Sequence, residues 1–261
     1  MVKSSPRDSD VRNKGDTVID VSALAPREVA GVCDHTFLDR PECFRAEADP
    51  LMAYDRAVEE FLDATLALDP APYAVCVRPE EVERVVRRFL NAGRSDIKVA
   101  AVVGFPLGDQ YRPGIKGDET KWVLDAGASE VDTVLRWRSL MAGREVEVTA
   151  DLAAVVKAAT RFDAKVKVIL ETCQLDEEAI AKACNLCRLA GVNFVKTSTG
   201  FGKGGATVAA LRVMRANFPR GIKISGGVKA DNLGELLAAA LGPQVESLDP
   251  LQIRIGESSL L

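Results

Sequence analysis

The 261-residue chain is poor in imidazole and in rings: it has one histidine, and aromatic residues make up 5%. One histidine cannot build a histidine-rich metal centre. The six cysteines, at 33, 43, 76, 173, 184 and 187, supply only one closely spaced pair, Cys184-x-x-Cys187, with no second pair beside it. A zinc or redox centre is therefore set aside, and neither a metal nor a cofactor is expected. No apolar run approaches the roughly 18 residues of a membrane-spanning helix. Positive charge is not in excess, since 34 Lys+Arg against 38 Asp+Glu give a net charge of −4, so neither nucleic acid nor an anionic membrane is expected as a partner.

What remains is ordinary for a globular α/β protein: 47% hydrophobic and 28% charged residues. The thiols lie in apolar contexts, which suits reduced cysteines and a cytoplasmic location. Residues 1–16, MVKSSPRDSDVRNKGD, are polar, lack the apolar segment of a secretory signal and read as a disordered extension. Residues 17–261 read as one domain, because no linker or shift in composition divides them.

Short apolar segments recur at 31–38, 73–77, 97–105, 130–136, 165–172, 193–199, 221–227 and 252–256. They are near-continuous runs, the pattern of parallel strands covered on both faces. Amphipathic helical patterns lie between them. One opens at Pro79 and closes at Gly93; another opens at a capping Asp176 and closes at Gly191. Eight strands alternating with helices predict a (β/α)8 TIM barrel. The competing doubly wound sheet lacks support, as no G-x-G-x-x-G follows the first strand. The chain ends soon after the eighth strand, so the final helix is expected to be truncated or absent.

An ungapped internal similarity aligns DAGASEVDTV (125–134) with LAGVNFVKTS (189–198) and puts Asp132 opposite Lys196. Inward side chains of a barrel form layers drawn from alternate strands, so Asp132 on strand four and Lys196 on strand six belong to one layer. Lys223 holds a similar place on strand seven, roughly 4.8 Å away from strand six. A free lysine, with a pKa of about 10.4, is almost wholly protonated at neutral pH; burial and a neighbouring cation depress that value and free the amine for attack on a carbonyl. Lys196 is the candidate nucleophile, Lys223 the neighbouring cation and Asp132 the proton-transferring carboxylate.

The turns after strands seven and eight, with Gly226, Gly227, Gly256, Ser258 and Ser259, form a candidate phosphate cradle of backbone N–H groups, and Lys229 could add a charge there. TGFGKGG (199–205) reads as a loop over the site mouth. Asp34 and Thr199 are candidates for support. His35 reads as a hydrogen-bonded core residue, Cys76 as packing, and Lys98 and Lys167, near strand starts, as structural.

These residues resemble deoxyribose-phosphate aldolase. The similarity runs in order through DHTFLD (34–39), VCVRPEEV (75–82), VVGFPLG (102–108), GASEVDTV (127–134), KVILET (167–172), FVKTSTGF (194–201), IKISGGVK (222–229) and RIGESSLL (254–261). The resemblance implies a metal-free, reversible class I aldol reaction that cleaves 2-deoxy-D-ribose 5-phosphate to acetaldehyde and D-glyceraldehyde 3-phosphate. It implies Lys196 as the Schiff-base lysine, Lys223 as the lysine that lowers its pKa, Asp132 as the acid/base partner, and phosphate on Gly226, Gly227, Ser258 and Ser259. The partners implied are small sugar phosphates and aldehydes; a homo-oligomer stays open. The segment VLRWRSL (134–140) departs from the small or apolar continuation of many relatives, and Arg136 and Trp137 are expected to reshape the pocket mouth. Two other readings use the same residues: a different Schiff-base sugar-phosphate aldolase, and a catalytically silent sugar-phosphate-binding barrel.

Overall fold

A computed structural model describes residues 24–242, 247–258 and 260. The expected extension at 1–16 lies outside them. Eight parallel strands close into a barrel in sequence order: β1 (Cys33–Thr36), β2 (Ala74–Val77), β3 (Lys98–Val103), β4 (Glu130–Val134), β5 (Lys165–Ile169), β6 (Phe194–Lys196), β7 (Gly221–Ser225) and β8 (Ile253–Glu257). Every segment expected to be a strand overlaps one. Apart from β8, which is as long as its run and shifted by one residue, the paired cores are shorter than the apolar runs, because the strand ends leave the ladder for the loops that carry the motifs.

Ahead of β1 lies α1 (Pro26–Ala30). Around the barrel run α2 (Pro50–Ala67), α3 (Val82–Asn91), α4 (Pro113–Asp125), α5 (Trp137–Met141), α6 (Glu145–Thr160), α7 (Glu177–Ala190), α8 (Val208–Asn217) and α9 (Leu233–Leu241). Helix α7 begins where Asp176 accepts from the N–H of Ala179 and ends at Gly191 with φ +85°, a left-handed position that glycine occupies without strain. The run expected to be helical from Pro79 begins with a 3-10 turn, Pro79–Glu81, before α3. Among the described residues no helix follows β8, and no helix is long and apolar enough to cross a membrane.

The strands alternate strictly. Val75, Val77, Val99, Ala101, Val131, Val166, Val168, Val195, Ile222, Ile224, Ile253 and Ile255 face the helices and form the main core with residues such as Phe89, Leu152 and Leu211. Burying each large aliphatic side chain contributes about 1.5–3 kcal/mol. A second, smaller cluster, Leu38, Cys76, Ala100, Val102, Phe105, Val134 and Ile169, lies apart from it. The residues between the outward ones on β4–β8 are largely charged and buried. The runs thus read as apolar on both faces, although the inner face carries a buried layer of charge beside that smaller apolar cluster.

Gly221 makes room for this interior: a Cβ there would lie 2.2 Å from the Phe194 ring. Gly221→Ala is expected to cost about 1–3 kcal/mol by overpacking, seen as a lower urea midpoint; an unchanged midpoint would show that the ring moves aside freely.

Candidate active site inside the barrel mouth

Strands β6 and β7 pair with Lys196 directly opposite Lys223, so the two side chains leave the sheet on the same face. Both reach one carboxylate on β4. Lys196 Nζ donates to Asp132 Oδ2 at 3.0 Å and Lys223 Nζ to the same oxygen at 2.7 Å. The other oxygen, Oδ1, accepts from Lys167 Nζ on β5 at 2.7 Å. All four residues are buried. The sequence expectation that Asp132 and Lys196 share a layer is therefore met, with Lys223 beside them.

The layer is larger than the sequence suggested. Lys223 Nζ also lies 2.6 Å from Asp34 Oδ2, and Lys167 Nζ lies 2.6 Å from Glu130 Oε2. Arg254 of β8 binds Asp34 and reaches Glu130 Oε2 at 3.0 Å, with its guanidinium 3.7 Å above the Tyr73 ring. Lys167, read from the sequence as structural near a strand start, points into this network because position 167 pairs with Asp132 across β4 and β5. Asp34 lies within the barrel interior, fully buried, rather than at its mouth. Lys98 is exposed, as expected of a strand start. Arg254 and Glu130 escaped the sequence reading, yet the signal was the same as for Lys196: a charge within an apolar strand.

Three carboxylates, Asp34, Glu130 and Asp132, face three cations, Lys167, Lys223 and Arg254, and Lys196 is the fourth base. Burial is the main force on Lys196, and the neighbouring Lys223 ammonium adds to it; together they outweigh the attraction of Asp132 and lower its pKa from the ordinary 10.5. Burial also disfavours the charge on Lys223, but Asp132 and Asp34 overcome it and hold that lysine above its ordinary value. Lys167 is raised against burial by Asp132, Glu130 and Asp34. Asp132 itself, despite burial, is held well below the carboxylate range by Lys167, Lys223 and Lys196. The group that most readily becomes neutral is Lys196, the lysine that opens onto a pocket.

That pocket has a volume of about 510 Å³ and is lined by Lys196, Thr199, Phe201, Gly226, Gly227, Gly256 and Ser258, among others. Its loops are stitched together by the residues after the two lysines. Thr197 Oγ1 donates to Ser225 O at 2.8 Å and accepts from Ser225 N at 2.9 Å, while Ser225 Oγ donates to Ser198 O at 2.6 Å. Thr199 Oγ1 donates to Glu171 Oε2 at 2.5 Å and accepts from the N–H of Phe201, fixing the start of the 199–205 loop. Gly226 and Gly227 turn at φ +86° and +71°, and Gly205 packs so closely on Gly226 that a Cβ would lie 2.1 Å from its carbonyl oxygen.

Gly226, Gly227, Gly256 and Ser258 thus share one wall of the pocket that Lys196 enters. Ser259 lies outside the described residues. Lys229 is exposed, in the turn where its N–H donates to Asn232 Oδ1 at 2.9 Å, and does not line the pocket. Cys76 is buried with Sγ 3.9 Å from Asp132 Oδ2, and burial pushes its thiol pKa up. Arg136 turns away from Lys196: it donates to Tyr111 O and lies 3.3 Å from Glu147 Oε2. Trp137 lines an adjoining cavity with Phe201.

Two outcomes follow from the charge layer. Removing a like charge favours the Lys196 ammonium, so Lys223→Met is expected to move the pH at which imine formation with an aldehyde rises upward, by about 1 unit or more; an unchanged or lower midpoint would contradict that role. Arg254→Met leaves Asp34 and Glu130 without their shared guanidinium and is expected to cost about 3–5 kcal/mol in denaturant unfolding.

Known proteins carry a similar sequence over this barrel. The family described as DeoC/LacD family aldolase matches residues 32–249. A deoxyribose-phosphate aldolase from Thermococcus gammatolerans is 40% identical over 204 residues, covering 77% of this chain and 84% of its own. One from Thermococcus kodakarensis is 42% identical over 205 residues, covering 78% and 85%. The solved structure titled as the unique tetrameric structure of deoxyribose phosphate aldolase from Aeropyrum pernix superposes with a TM-score of 0.69 at 26% identity, over 90% of this chain and 88% of that one. With a family match that spans most of the barrel, the chain belongs to the DeoC/LacD aldolase family.

Proposed function

We propose that this protein is a class I deoxyribose-phosphate aldolase that reversibly cleaves 2-deoxy-D-ribose 5-phosphate into acetaldehyde and D-glyceraldehyde 3-phosphate. The observation that carries the reading is the shared carboxylate oxygen, Asp132 Oδ2, 3.0 Å from Lys196 Nζ and 2.7 Å from Lys223 Nζ.

In cleavage, the neutral Lys196 amine attacks C1 of the open-chain sugar. The Lys223 ammonium and Asp132 supply and relay the protons that expel water from the carbinolamine, leaving a protonated imine. The C3 hydroxyl gives its proton to Asp132, directly or through a water. The C2–C3 electron pair then moves into the imine, forming the enamine on Lys196, and C3 departs as the aldehyde carbon of glyceraldehyde 3-phosphate. Protonation of the enamine at C2 and hydrolysis of the resulting imine release acetaldehyde and restore the amine. No redox step occurs. Ionised Asp132 suits the role of relay, because it stays hydrogen-bonded to both lysines as the proton passes.

The phosphate would rest on the backbone N–H groups of the Gly226–Gly227 turn and on the turn after β8, with Gly256, Ser258 and Ser259. Thr199 supports by holding the 199–205 loop to Glu171, and Asp34 supports by holding Lys223 charged. Lys229 would act only as a distant positive charge. Free thiols, four of them buried and Cys43 and Cys173 exposed, suit the cytoplasm as the place of this reaction, and self-association into a homo-oligomer belongs to the same proposal.

Borohydride reduction in the presence of acetaldehyde, followed by peptide mass mapping, is expected to place an ethyl group on Lys196 alone. Lys196→Ala should abolish both the adduct and cleavage of deoxyribose 5-phosphate. Adducts spread over surface lysines, or full activity in Lys196→Ala, would overturn the proposal.

A further inference from the structure

The sole histidine and the glutamate in GESSLL are left over once the reaction is assigned, and they touch each other. His35 Nδ1 lies 2.8 Å from Glu257 Oε1 across the β8–β1 seam, where the two residues are register partners. The second oxygen, Oε2, accepts from the N–H of Leu260 at 2.7 Å. Glu257 borders the pocket, but its side chain is 1% exposed and both carboxylate oxygens are bonded to His35 and Leu260. The imidazole is held in turn by stacking on Phe61 of α2, with centroids 4.8 Å apart and planes at 16°. Phe61 lines the pocket.

The result is a clip. One carboxylate bends the chain after β8 back toward β1 and anchors it to a ring fixed by α2. Ser258 lies between the two anchored points, Glu257 and Leu260, and faces the pocket. If the carboxylate swung toward the pocket it would repel an incoming phosphate; both of its oxygens are instead committed elsewhere.

We propose that Glu257 and His35 are positioning residues for the phosphate-binding turn: Glu257, clipped between His35 Nδ1 and the Leu260 N–H, sets the geometry of the Ser258 segment and thereby the preference for a phosphorylated substrate. The inference rests on the reading, given above, that phosphate occupies this turn. Neither side chain touches the reacting carbons, so the chemistry at Lys196 proceeds without them.

The test compares kcat/KM for 2-deoxyribose 5-phosphate and for unphosphorylated 2-deoxyribose. Glu257→Ala is expected to lose ten-fold or more on the phosphorylated sugar, through KM, while staying within about two-fold on deoxyribose. Glu257→Gln, which keeps an oxygen for the Leu260 N–H, is expected to recover most of the loss. His35→Phe, which keeps a ring on Phe61 but removes Nδ1, should lie between them. In the same variants, titration with inorganic phosphate should show weaker binding in the same order, and this readout does not depend on the sugar being the right one. Equal losses on both sugars, or no loss on either with phosphate binding unchanged, would overturn the clip. Failure of acetaldehyde trapping at Lys196 in the unaltered protein would instead overturn the proposed reaction. Should Glu257→Ala fail to fold, Glu257→Gln and His35→Phe carry the same comparison.

Discussion

The structure turns on one carboxylate with three lysines around it. Asp132 accepts from Lys167 at one oxygen and from Lys196 and Lys223 at the other. A buried ion is expensive unless it is paired and hydrogen-bonded, so the interior must supply nearly equal numbers of opposite charges. It does so with Asp34 and Glu130 on one side and Lys167, Lys223 and Arg254 on the other. Lys196 is the base left beyond that balance, and it is the lysine that lines the pocket. Its reactivity is therefore a property of the whole layer: Lys223 acts on it directly, and Asp34, Lys167, Glu130 and Arg254 act by fixing the charges of Lys223 and Asp132.

A closed parallel barrel is what makes such a layer affordable. Its strands hydrogen-bond on both sides, and alternate residues point inward at fixed heights, so groups far apart in sequence meet without loop flexibility. Asp132 and Lys223 are 91 residues apart and yet 2.7 Å from each other. Small residues permit the crowding. A Cβ at Gly256 would come within 3.0 Å of Lys223 Cε, and Gly221 gives way to the Phe194 ring. Outside the barrel, the apolar face of each strand packs on helices and provides the core whose stability offsets the desolvation of the interior.

The barrel was legible because strand and helix punctuation repeat along the chain, and Lys196, Lys223 and Asp132 were legible because each is a charge set within an apolar strand. Lys167 stands third in its run, as Asp132 and Lys223 do in theirs, and pairs directly with Asp132, so the same signal was present and was read as a strand start. Arg254, the register partner of Lys223, and Glu130 carried the same signal, a charge in an apolar strand, and were passed over. Arg136, expected to alter the pocket, instead braces Tyr111 and Glu147, since the chain turns into α5 directly after it. The contact between His35 and Glu257 spans 222 residues, and no local pattern announces it.

The most direct measurement is a pH titration of individual lysine side chains by NMR on protein with isotope-labelled lysine, with Lys196 identified by its Lys196→Arg variant. The expected result is a Lys196 Nζ that loses its proton below the ordinary 10.5, while Lys223 and Lys167 remain ammonium ions throughout the same range. A Lys196 that titrates at or above 10.5, or a Lys223 that deprotonates first, would contradict the claim that the buried charge layer makes Lys196 the free amine.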